Sequence, residues 1–138
     1  MLVSTRGRYA LRFMIDLAQQ EGGAAVTLKA VSGRQDISVK YLEQIVSSLC
    51  RAGLIRSVRG NQGGYMLTRA PGEYTAGEIL RTVEGSLAPV SCLANPENEC
   101  PRRAFCKSVA FWEGMMRVVE QYADSVTLAD LTGDGPPL

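Results

Sequence analysis

Histidine is absent from this 138-residue chain. Its absence removes the side chain most often used as a general base near neutral pH and the commonest metal-ligating ring, so hydrolytic or transferase chemistry fits poorly. No apolar run approaches the length that crosses a bilayer, and Met1-Leu2-Val3-Ser4-Thr5-Arg6 lacks the long apolar stretch of a signal peptide. A cytoplasmic protein without membrane contact is therefore expected. In that reducing compartment four cysteines argue against structural disulfides and towards metal, cluster or redox chemistry. Periodicity is missing from Gly85 to Cys100, where Pro89, Asn95, Pro96 and Asn98 write a loop. So long a structureless stretch in so short a chain implies a functional reason for it.

Apolar residues make up 46% of the chain, enough for one compact domain with at most an appended arm. The net charge of +1 hides a division. Residues 1–70 hold ten Lys or Arg against four Asp or Glu, while residues 71–138 hold five against ten. A basic front and an acidic back suit a protein that meets phosphate on one side and protein on the other.

The most informative stretch is Thr27 to Thr68, which reads as a DNA-docking unit: short helix, turn, longer helix, hairpin. Ser38 is a good cap, and Leu42, Ile45, Val46 and Leu49 recur at helical spacing behind it. The opposite face carries Lys40, Tyr41, Gln44, Ser47, Ser48 and Arg51, donors and cations of the kinds that reach phosphates and base edges. Gly53 stops the helix. Leu54 to Arg59 then forms a strand that turns through Gly60-Asn61-Gln62-Gly63-Gly64 and returns as Tyr65-Met66-Leu67-Thr68, a wing with Arg59 near its tip. A polar helix face is often merely solvated, but this order of elements favours groove reading.

A first helix is expected from about Thr5 to Gln20, largely buried, with Arg6, Arg8 and Arg12 at its start as a phosphate flank or a solvated basic end. Thr75-Ala76-Gly77-Glu78 has the spacing of a capping box, starting a helix through Glu84. A long helix is expected from Pro101 to about Asp124. Two apolar stripes run along it, one through Phe105, Val109, Trp112, Met116, Val119 and Ala123, the other through Phe111, Met115, Val118 and Tyr122. Two stripes imply packing on the chain's own domain and on a symmetry mate, hence a homodimer. Gly114 inside it costs about 1 kcal/mol against Ala, which a close second backbone would explain. The expected organisation is mainly α with a small β-hairpin: a winged helix-turn-helix over 1–84, a cysteine-bearing loop over 85–106, a dimerisation helix over 101–126, and a short helix with a disordered tail over 127–138.

Cys92, Cys100 and Cys106 fall within fifteen residues, at the loop and the expected opening of the long helix. Thiolates are soft ligands, and three on one loop suit an iron–sulfur cluster better than zinc, whose closed structural sites take four protein ligands. On the residues alone a cluster, a thiol redox sensor, zinc and no metal all stay open. Cys50, four residues after Val46, reads as a small core hydrophobe.

Together these residues resemble the IscR-like iron–sulfur regulators of bacteria. The likeness runs through Thr5-Arg6-Gly7-Arg8-Tyr9-Ala10, Ile37-Ser38-Val39-Lys40-Tyr41-Leu42-Glu43-Gln44, Ser57-Val58-Arg59-Gly60, Gly63-Gly64-Tyr65, the three cysteines and Thr127-Leu128. The resemblance implies a dimeric winged-helix transcription regulator bound to double-stranded DNA, with a [2Fe–2S] or [4Fe–4S] cluster on Cys92, Cys100 and Cys106 that alters DNA binding. It places Ser38, Lys40, Tyr41 and Gln44 in the major groove, Arg59 and Gly60 at the minor groove, and Glu43 where target preference is tuned. One position departs from the pattern. Where the family has a ligating histidine, three residues after the last cysteine, this chain has Val109. Other members use an acidic residue near the start of the partner subunit, whereas here the first carboxylate is Asp16. The fourth ligand is thus open among Ser91, Glu97, Glu99, Ser108 and solvent.

Two further classes follow from the same residues. One is a cluster-free regulator of this fold that senses a thiol oxidant, a small molecule or a partner enzyme. The other is a cluster-carrying module that docks protein without binding DNA.

Overall fold

The computed structural model describes residues 3–97 and 100–133. Five helices and one hairpin follow in order: α1 (Thr5–Ala18), α2 (Leu28–Gln35), α3 (Val39–Arg51), β1 (Ile55–Val58), β2 (Gly64–Leu67), α4 (Ala76–Glu84) and α5 (Val109–Ser125). The winged helix-turn-helix is present as expected, mainly helical with a two-stranded antiparallel hairpin.

Side-chain oxygens start the helices. Ser4, Thr27, Ser38 and Thr75 each accept from a backbone N–H three residues on. The capping box expected at Thr75 is only half made, because Glu78 turns away to Arg69 at 2.7 Å. α1 stops two residues before Gln20, where Gly22 and Gly23 take positive φ. The turn between α2 and α3 depends on Asp36 in the left-handed region, at φ 55°.

The core forms where the inner faces of α1, α3 and α4 meet, with Phe13, Met14, Leu42, Ile45, Leu49 and Ile79 fully buried. Asp16 lies among them at 2% exposure. Its carboxylate takes a fork from Arg34 at 3.0 and 2.7 Å and a third bond from Gln35 Nε2 at 3.0 Å, so α2 is tied to α1. A buried carboxylate is tolerated only with such partners. Asp16 is therefore not available to any metal.

The wing pairs Ile55 with Leu67 through Val58 with Gly64. Val26 adds a third short rung, exchanging two 2.8 Å bonds with Tyr65. Gly64 sits at φ +148°, and the Val26 carbonyl fills the space a Cβ would need. Behind the wing Tyr74 is fully buried. Its hydroxyl donates to Leu54 O at 2.7 Å and accepts from the N–H groups of Thr68 and Arg69 at 2.9 and 3.0 Å.

The long helix begins at Val109, eight residues later than Pro101. Among the described residues the backbone N–H groups of 101–107 make i to i−3 bonds alone, around Arg103–Phe105, and Cys106 is extended at ψ 108°. Phe105, expected to lead the inner stripe, is 77% exposed; with no surface beneath it, the helix gains nothing by starting there. The other end of α5 is clamped. Arg81 grips Asp124 at 2.9 and 2.7 Å, Ala76 N donates to Val126 O at 2.8 Å, and Leu128 N donates to Tyr74 O at 3.0 Å. Phe111, Val118 and Tyr122 stand 60 to 65% exposed. Among the described residues nothing lies within 4 Å of the place a Cβ would take at Gly114. The short turn after α5 is Asp130–Thr132, and the tail expected to be disordered lies, beyond Gly133, outside the described residues.

Tyr74→Phe removes one hydroxyl and strands three wing-base partners, so stability should fall by about 1–3 kcal/mol. Urea unfolding is expected to show a lower midpoint with an unchanged slope.

Candidate nucleic-acid interface and thiol loop

On α3 the side chains of Lys40, Glu43, Gln44, Ser47 and Arg51 are exposed, and so is Ser38 just before it. Tyr41 and Ser48 are half-buried along one edge of that face, where α1 packs. The Tyr41 ring meets Tyr9 edge-on at 5.3 Å, and Ser48 Oγ accepts from Arg6 Nη2 at 2.6 Å. These contacts fix the edge of the face before any ligand arrives. Ser38 spends one lone pair on Tyr41 N at 3.2 Å and keeps the other outward.

In the wing Arg59 and Gly60 are exposed, and Gly63 N donates to Gly60 O at 3.0 Å to close the tip. Arg56 is exposed as well. Sequence reasoning passed over it, although strand alternation beside the buried Ile55 marks the position as outward. The α1 contacts were also missed, because pairing between distant helices leaves no mark in spacing.

The cationic face is uncompensated. Arg34, Arg69, Arg81 and Arg103 form ion pairs, whereas Lys40, Arg51, Arg56 and Arg59 have none among the described residues. Exposed cations without carboxylate partners are what a phosphate surface requires.

Cys92, Cys100 and Cys106 are each half-buried on the segment between α4 and α5. No disulfide joins them, and among the described residues no group of three or more Cys, Asp or Glu is gathered as a metal would gather it. The donor set suits a soft ion, and short 3-10 turns at Ser91–Leu93 and Arg103–Phe105 lie along the loop. The Ser108 hydroxyl, 3.4 Å from Cys106 Sγ, and the nearby backbone N–H groups hold that thiol below its ordinary range. Burial instead pushes the Cys50 thiol up, as expected for a packing cysteine. Of the candidates for a fourth ligand, Ser91 and Glu97 are exposed, Ser108 is engaged with Cys106, and Glu99 lies outside the described residues.

Residues 3–134 match the Rrf2 family, described as "Iron-dependent Transcriptional regulator". The HTH-type transcriptional regulator CymR of Bacillus subtilis is 41% identical over 131 residues, covering 95% of this chain and 89% of that protein. The solved structure of CymR, titled the global cysteine regulator of B. subtilis, superposes with a TM-score of 0.78 at 38% identity, covering 99% of both chains. The structure of IscR from T. potens superposes with a TM-score of 0.78 at 40% identity, covering 97% of this chain and 88% of that one.

Ser38→Ala should lose the α3 cap and about 1 kcal/mol of stability. Ser38→Asp keeps a capping oxygen but sets a negative charge at the surface that faces phosphate. Thermal unfolding should stay near wild type for the aspartate while DNA affinity drops, and the reverse pattern would separate Ser38 from DNA.

Proposed function

The chain belongs to the Rrf2 family of transcriptional regulators, and from that premise we propose that it is a homodimer whose hold on DNA is modulated by an iron–sulfur cluster. The family's members are DNA-binding regulators and not enzymes. Ser38, Lys40, Tyr41 and Gln44 read the major groove, Arg59 and Gly60 enter the minor groove from the wing, and Glu43 tunes which sequences are accepted. The exposure of Ser38, Lys40, Glu43, Gln44, Arg59 and Gly60, with Lys40 and Arg59 outside any ion pair among the described residues, supports these roles.

The observation that carries the cluster reading is the position of Cys92, Cys100 and Cys106. They are three half-buried thiols on one loop, uncommitted to disulfides, leading directly into α5. These residues would hold a [2Fe–2S] or [4Fe–4S] group. Bound there, it would supply iron that responds to oxygen, nitric oxide or iron supply. A group held by these thiols would tie the loop to the start of α5 at Val109.

A second copy is the natural cover for the outer side of that helix. Leu11, Leu80, Val118, Val119, Tyr122 and Leu131 line an open apolar groove of about 470 Å³ there. Two protomers joined on it would set two α3 helices roughly one turn of DNA, about 34 Å, apart. A difference of 1.4 kcal/mol between the two states of the loop is then about tenfold in affinity.

A regulator without metal is the second reading. The identity to CymR, a cysteine regulator by its structure's title, and the ungathered thiols favour it.

Anaerobically purified or reconstituted wild type should be coloured and contain iron and sulfide. The variant with Cys92→Ala, Cys100→Ala and Cys106→Ala should be colourless and lose regulated DNA binding. Colourless wild type together with normal repression by the triple variant would establish the metal-free reading. In either case Arg59→Ala should relax preference at the minor-groove position without abolishing binding, as read by competition among duplex variants.

A further inference from the structure

We propose that α1 is a second DNA-contacting element, with Arg8 and Arg12 gripping the phosphate backbone beside the groove that α3 reads and Arg6 positioning the two helices. The inference rests on the DNA-binding reading above.

The seam between α1 and α3 carries the argument. Arg6 Nη2 donates to Ser48 Oγ at 2.6 Å, and its buried Nε has no partner. One turn on, Tyr9 meets Tyr41 edge-on at 5.3 Å. The Arg12 guanidinium lies 5.3 Å from the Tyr9 ring centroid, and its Nε donates to Gln35 Oε1 at 3.3 Å while Nη2 donates to Gln35 O. Ser48 and Tyr41 form the edge of the polar face of α3. Arg8 and Arg12 are exposed on α1, the helix packed along that edge. A B-DNA major groove is about 12 Å wide, so one helix fills it and the element packed alongside lies over the bounding phosphates.

Charge gives an independent reason. Among the described residues Arg6, Arg8 and Arg12 make no ion pair, although the chain pairs Arg34, Arg69, Arg81 and Arg103. The first turn of α1 holds no acidic residue of its own, and the carboxylate at its start is that of Glu84 in α4, which accepts from Ser4 N at 3.0 Å. Cations early in a helix oppose its macrodipole, and Arg8 with Arg12 is a like-charged pair at i, i+4. The like-charged pair costs the free protein some stability, which an anion bound across Arg8 and Arg12 would restore.

The side chains are also prepared for that anion. Arg12 spends two of its five donors on Gln35, and Arg8 spends one on Thr5 Oγ1 at 3.0 Å. The remaining donors are presented on restrained stems, which lowers the ordering cost on binding.

The test is the salt dependence of binding by the full chain. Wild type, Arg8→Gln, Arg12→Gln and Lys40→Gln are titrated across a salt series with a duplex that wild type recovers from a randomised pool, and with poly(dI–dC). The slope of log K against log salt should fall by about 0.9 for each phosphate contact removed. For Arg8→Gln and Arg12→Gln the loss should be the same on both DNAs, the order of preferred bases unchanged, and the unfolding temperature of the free protein at low salt equal to wild type or higher. Wild-type slopes for Arg8→Gln and Arg12→Gln, with a reduced slope for Lys40→Gln, overturn the role of α1 and leave the DNA-binding reading standing. No salt dependence in wild type overturns both. Should Arg12→Gln unfold through its lost tie to Gln35, Arg8→Gln decides alone, since its one bond is to Thr5 within the same turn.

Discussion

The phenol of Tyr74 is where the parts of this chain meet. Its hydroxyl makes one donated and two accepted bonds to the wing base, and its carbonyl accepts from Leu128 just past α5. Arg69 lies over the ring at 4.3 Å and reaches on to Glu78 at 2.7 Å in α4. The wing, α4 and the root of α5 therefore converge on one buried residue and the arginine stacked on it. A buried hydroxyl is worth keeping only when its partners are all present.

Local rules made the reading unit legible. Ser38 as cap, the Leu42–Ile45–Val46–Leu49 spacing and the glycine-bounded hairpin are each decided within a few residues, so pattern alone placed α3 and the wing. Long-range pairing left no such trace. Asp16 was legible only as the first carboxylate of the chain, because nothing in spacing announces that Arg34 and Gln35 will surround it. The start of α5 was misplaced for a related reason. Apolar spacing from Phe105 looks helical, but a helix needs a surface under its stripe, and Phe105 has none.

The functional residues divide the same way. Exposure of Lys40, Gln44 and Arg59 was readable from amphipathic and alternating patterns. The thiols were readable as a set, yet their mutual placement depends on a loop whose turns are held by two or three i to i−3 bonds each among the described residues. Such bonds commit a segment weakly, so composition fixes the donors without fixing their geometry.

The clamp on α5 makes it a beam held at one end. Its root is fastened by the Arg81 fork on Asp124, seated against Gly77, where no Cβ would fit. At the opposite tip Ser108 supplies no side-chain cap. Seventeen residues give the beam a length of about 25 Å, so 1 Å of sideways push at Val109 swings it by about 2°. Motion that enters as distance leaves as angle, and paired beams would double the divergence between the heads they carry.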